Sequence, residues 1–272
     1  MTRRCVVPAA LLTFLILLAV PAFAQNEVQA IGACTVIDKP GSYVLGNDIK
    51  ATLADLKRVV PDAWYSGCIV IVADFVSLDL QGHTITGPGD QHTWSHFGIY
   101  TTADASGKQS VAARIRNGNV RNFDSGVALE GTGHLVEQMR VTGNNLGISF
   151  AADGNRGDGI RVKDVVAVSN GIGIFFYSGV GGSVENCQVI SNEAAGIYQN
   201  ENLESVPLNP RPLGTCIVSN TVTGNGVYGI YAFCPSLILQ NMAYGNGSRD
   251  QDNIVLVGGK GPCTRSDNNP EP

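Results

Sequence analysis

Three groups of side chains in this 272-residue chain have the types and spacing to do chemistry. The loop from Gly87 to Phe97 gathers Asp90, His92, Trp94 and His96. His and Asp can exchange protons near neutral pH, and Trp can stack on a ligand ring, so His92, Trp94 and His96 are candidate substrate-binding residues. A second group is charged: Arg116, Glu137, Arg161, Lys163 and Asp164. Such a set can pair a general base with cations that stabilise developing negative charge. A third group is aromatic: Phe175, Tyr198 and Tyr231, whose rings could form a flat strip for sugar rings. Each group has a plainer alternative. The loop is a surface turn, the charges neutralise one another as a ladder, and the aromatics lie under the insertion from Glu201 to Gly214.

The elements that position these groups repeat. Segments such as VKDVVAVSNGIGIFF and VENCQVISNEAAGIYQ recur with a period of about 22 residues, a unit too short to bury its own apolar face except against identical neighbours. A first apolar column is expected at Leu80, Ile115, Val136, Val162, Val184, Ile217 and Ile238, and a second at Ile85, Val120, Val141, Ala167, Val189, Val222 and Ala243. Asn144, Asn170, Asn192, Asn225 and Asn246 read as a buried corner ladder. Gly98-Ile99, Gly126-Val127, Gly147-Ile148, Gly173-Ile174, Gly196-Ile197 and Gly229-Ile230 each start a further short strand. Alternation then places Asp79, Gln81, Arg114, Arg116, Glu137, Arg161, Lys163 and Glu185 outside, and sets Tyr100, Ala128, Ser149, Phe175, Tyr198 and Tyr231 on a second outward column.

This pattern, clearest from Val184 to Tyr198, resembles the repeat of right-handed parallel β-helix proteins of the pectate-lyase-like superfamily. The segments Pro40 to Leu45, Cys68 to Ile71 and Val76 to Ile85 are similar to the first coils of bacterial secreted members. The resemblance spans roughly residues 34 to 257. It implies an all-β fold, a single-stranded right-handed parallel β-helix of about seven or eight coils with an N-terminal cap. It also implies, if the chain is catalytic, a lyase or epimerase acting on an extracellular or cell-envelope polysaccharide, chemistry that abstracts a proton α to a uronate carboxylate with Glu137 or His83 as the base and Arg116, Arg161 or Lys163 as the electrophile. The other reading is a non-catalytic surface, adhesion or structural module. No cofactor is required, and calcium is allowed for a lyase. The D-x-H at Asp90 to His92 resembles the Asp-Pro-His motif of alginate epimerases but carries Gln91 in place of Pro. The paired-Asp and Gly-His-Gly signatures of polygalacturonase-like hydrolases are absent.

Residues 1–24 have the Arg pair, apolar run and Ala-x-Ala end of a signal peptide, which implies a secreted or periplasmic product. Residues 25–67 are assigned to an N-terminal cap with the strand leading into the coil, 68–257 to the β-helix and 258–272 to a polar C-terminal tail. Loss of Arg3, Arg4 and Cys5 would take the formal charge from −5 to −7 and leave six Cys. Cys34 with Cys68, and Cys234 with Cys263, are expected to pair at the two ends, whereas Cys187 shares a column with Met139 and Val165 and should be a buried thiol. No Cys/His spacing suggests a structural metal. The acidic balance disfavours nucleic acid, and no second apolar stretch is long enough to span a bilayer. The expected partner is a polysaccharide or oligosaccharide, and the polar tail leaves room for an oligomer that protects the coil end.

Overall fold

The computed structural model describes residues 28–59, 66–89, 96–150, 159–177, 181–200, 214–258, 263–266 and 268. The expected signal peptide, Asp90, His92, Trp94 and nearly all of the 201–214 insertion lie outside these residues. Nearly every described element is a short strand, and every strand pairing is parallel. One sheet has sixteen strands and the other nine. Each strand bonds to its counterpart one turn earlier and one turn later, so the chain is a parallel β-helix whose apolar columns meet inside.

The columns follow from side-chain alternation. In the nine-stranded sheet, Ile69, Ile99, Val127, Ile148, Ile174, Ile197, Ile230 and Ile254 lie in register, and all but Ile254 are fully buried. In the sixteen-stranded sheet the second expected column stands and begins earlier, at Ile49 opposite Ile85. The first column is corrected by one alternation step. Leu78, not Leu80, pairs with Ile115, so the outward neighbours are Ser77 and Asp79. Both leucines are buried, but the strand Val76–Asp79 ends before Leu80. Leu80 sits at the following bend, where its side chain fills the space beside the Cα of Gly118.

That bend recurs. Gln81, Asn117, Gln138, Asp164, Asn186, Ser219 and Gln240 all have φ between +49° and +60°, and each turns the chain from one strand segment into the next of the same sheet, Asn117 and Gln138 doing so within the continuous strands Arg114–Arg121 and Leu135–Thr142. The Asn corner forms as expected: the Nδ2 of Asn144, Asn170, Asn192 and Asn225 each donates to the Oδ1 of the next, at 2.7 to 3.1 Å. The line ends on Asn253. A second ladder, Asn220 to Asn241 to Asn268, was not foreseen. It continues the column of Met139, Val165 and Cys187, which turns from apolar to amide when the Cys187 N–H donates to Asn220 Oδ1 at 2.9 Å.

The ends are tied covalently by Cys34–Cys68 and Cys234–Cys263. A short helix, Leu53–Val59, buries Leu56 in the core, and its N-terminus is closed by reciprocal bonds between Thr52 and Asp55. No helix among the described residues is long and apolar enough to cross a membrane.

Candidate ligand-binding faces

The charged residues fall in one register column. Asp79, Arg116, Glu137, Lys163 and Glu185 follow one another on adjacent strands of the sixteen-stranded sheet, alternating in sign at every step. Strands lie about 4.8 Å apart, so neighbours along such a column can neutralise one another. Arg116 pairs with Asp79 at 3.0 Å, and Lys163 lies 3.8 Å from Asp164. Both Nε and Nη2 of Arg114 engage Oε1 of Glu137. Arg161 is exposed and forms no ion pair with a described residue. Arg116, Glu137 and Lys163 are therefore brought together, and Arg116 and Glu137 each already hold a partner of opposite charge. His83 stands apart, at the end of the preceding bend, with Nδ1 3.2 Å from Asp48 Oδ1. The hydrogen bond from the Thr84 N–H, followed by the contact with His83, holds the Asp48 carboxyl below its usual range.

The aromatic residues occupy the outward column of the nine-stranded sheet, where Val70, Tyr100, Ala128, Ser149, Phe175, Tyr198, Tyr231 and Val255 lie in register. Phe175 and Tyr198 stack with centroids 5.9 Å apart and planes 3° from parallel, and Tyr198 and Tyr231 stack at 4.9 Å and 18°. Tyr228 joins the row at 5.0 Å from Tyr231. Phe233 and Tyr177 meet it edge-on. The rings stack on one another along the helix axis, so each shields part of its neighbour's face. Tyr100, Ala128, Ser149 and Phe175 are buried, whereas Tyr198, Tyr228, Tyr231 and Phe233 are half-buried, so the face opens toward its C-terminal end.

At the buried end lies a polar cluster. Glu130 accepts hydrogen bonds from the Tyr100 hydroxyl at 2.7 Å and the Thr102 hydroxyl at 3.0 Å. His96 is buried, and its backbone N–H donates to Asp124 Oδ2 at 3.1 Å. Asp124 and Glu130 flank one strand, Ser125–Leu129, six residues and so about 20 Å of extended backbone apart. Paired glycosidase carboxylates need about 5 to 9.5 Å, so these two cannot serve one glycosidic bond. No group of three or more His, Cys, Asp or Glu among the described residues is placed to hold a metal, which leaves the calcium allowed by the resemblance without a ligand set there. Tyr228, Glu130 and the buried His134 were not singled out from sequence. Tyr228 alone left a signal, an aromatic residue in the column of Leu146, Ile172 and Ala195.

No protein-family model matches the chain, and no curated protein sequence matches it. Among solved structures it is similar to the Dettilon tailspike protein, with 14% identity and a TM-score of 0.47 over 89% of this chain and 54% of that one. It is also similar to the DFA-IIIase from Arthrobacter chlorophenolicus A6, solved in complex with GF2, with 12% identity and a TM-score of 0.24 over 85% of this chain and 76% of that one. The chain spans about half the length of the tailspike chain.

Proposed function

We propose that this is an exported β-helix protein that binds a polysaccharide along the outer face of its nine-stranded sheet. The observation that carries this reading is the half-buried row of Tyr198, Tyr228, Tyr231 and Phe233. Tyrosine offers rigid contact area with a hydroxyl at its edge, and loses little conformational entropy on binding. One outward position recurs on each turn at about 4.8 Å, and aromatic residues fill it on three successive turns at Phe175, Tyr198 and Tyr231, a repeat that a periodic polymer lying along the axis can follow. Export is supported by the pattern of residues 1–24 and by the two disulfides, which persist in oxidising compartments.

A second reading, a non-catalytic surface or structural module, is favoured by the ion pairing of the charged column. The two separate on a polysaccharide array probed with the chain lacking residues 1–24. Retention of at least one polysaccharide, weakened tenfold or more by Tyr198→Ala or Tyr231→Ala, is the expected result. Failure to retain any glycan overturns the binding reading. Incubation with polyuronates while following absorbance of the unsaturated product tests lyase chemistry. Product that disappears in Glu137→Gln would give that carboxylate the role of base.

A further inference from the structure

In the sixteen-stranded sheet, the strand segments that follow the bend carry a surface whose charges are not balanced as those of the segments before it are; Arg121 and Arg140 lie beyond the bend on the strands Arg114–Arg121 and Leu135–Thr142. Register sets Lys50 opposite Thr86, and Thr86 opposite Arg121. The adjoining column runs Thr84, Asn119, Arg140, with Thr142 beside Arg121. Lys50, Arg121 and Arg140 are exposed, and none forms an ion pair with a described residue. Asp48 is the described carboxylate nearby. It already accepts the Thr84 N–H at 2.9 Å and contacts His83, and Arg121 acts on it only through the electrostatic field.

Like charges set close together across strands destabilise a sheet, and the segments before the bend avoid this by alternating sign at each step from Asp79 to Glu185. The segments after the bend instead gather Lys50, Arg121 and Arg140, separated only by neutral polar residues, in a chain whose net charge is −5. Arg121 is also held in place, since its Nε donates to the Thr86 hydroxyl at 3.1 Å, on the side toward Lys50. Lys50 and Arg121 are two strands apart, about 10 Å between backbones. With Arg140 on the next strand, three cations over about 14 Å exceed the reach of one small anion and suit charges repeated along a polymer. Between them lie the hydroxyls of Thr84, Thr86 and Thr142 and the amide of Asn119, groups that match sugar hydroxyls.

We propose that Lys50, Arg121 and Arg140, with these intervening polar groups, form a binding surface for an anionic glycan bearing carboxylate or sulfate groups. It lies on a different sheet from the aromatic row and stands or falls independently of it. The test is calorimetric titration of the full chain with polygalacturonate, dextran sulfate and neutral dextran at low salt. At least one anionic polymer should bind tenfold or more tighter than neutral dextran and weaken as salt screens the contact, and which of the two binds identifies the charged group. The triple variant Lys50→Gln, Arg121→Gln, Arg140→Gln, shown folded by an unchanged circular dichroism spectrum, should lose at least tenfold in affinity. Lys57→Gln, an exposed cation on the helix, should lose none. Parent binding no tighter than to neutral dextran, a triple variant that binds like the parent, or equal affinity for a DNA duplex overturns the proposal.

Discussion

The Nδ1 atom of His134 accepts a hydrogen bond from the backbone N–H of Ala113 at 3.0 Å, so the neutral ring joins one loop-bearing corner to the next. Its other nitrogen bonds the Glu130 carbonyl at 2.7 Å, which assigns the proton to Nε2. A protonated ring could no longer accept from Ala113, and burial pushes the His134 pKa below its ordinary 6.5. In the window between the folded and unfolded values the unfolded chain binds more protons. The contribution of His134 is therefore full above about pH 6.5 and is lost as pH falls through the folded value. Asp48, Asp55 and Asp104, whose carboxyls are held below 3.8, act in the same direction but only at lower pH. Denaturant midpoints measured from about pH 8 to pH 5 should decline in the parent, and the decline should flatten in His134→Gln.

The side chain of Asn192 makes four ladder contacts. Its Nδ2 donates to Asn225 Oδ1 at 2.8 Å and to the Ala167 carbonyl at 3.3 Å, and its Oδ1 accepts from the N–H and the side-chain amide of Asn170. Asn192→Ala should cost about 3 kcal/mol or more, because each buried partner left unsatisfied costs about 1 to 3 kcal/mol. Urea unfolding should show a lower midpoint at an unchanged slope.

A methyl group at Gly196 would sit 2.5 Å from Val222 Cγ1 and 2.7 Å from the Gly229 carbonyl oxygen. Gly196→Ala should destabilise by about 1 to 3 kcal/mol through overpacking. Gly258→Ala, with nothing within 4 Å of the added carbon, should stay within about 0.5 kcal/mol of the parent in the same thermal melt.

The two thiols should separate by alkylation of the native protein followed by mass spectrometry. Burial pushes Cys187 up to about 12, so it should stay unmodified until the chain unfolds. Cys216 is partly exposed and should react first, though more slowly than a free thiol, because partial burial raises its pKa as well.

Glu137→Gln and Arg116→Ala test whether the charged column is structural. Both sites are partly exposed ion pairs, so each change should cost less than about 1 kcal/mol and the effect should shrink in high salt.

Much of the fold was legible because Gly-Ile and Asn recur at a fixed distance from each apolar pair. The same spacing places Phe175, Tyr198 and Tyr231 in one row. Leu80 was misplaced because Leu78 and Leu80 satisfy alternation equally and only the bend at Gln81 tells them apart. The ladder of Asn220 and Asn241 was missed because the same column earlier holds Met139, Val165 and Cys187. The Tyr100–Glu130 bond joins residues 30 apart, on turns whose connecting loops differ in length, and no local pattern predicts it.

By itself the sequence determined most of the apolar columns, the corner ladder from Asn144 to Asn246 and that the chain must stack on itself, since periodicity of two and the turn residues are local properties. Only the tertiary structure decided which charge lies beside which. Register depends on the length of every turn between two strands, and a shift of two residues keeps each side chain on its face while changing its neighbour. For that reason Arg116 meets Asp79, whereas Lys50 and Arg121 share a column with no carboxylate between them.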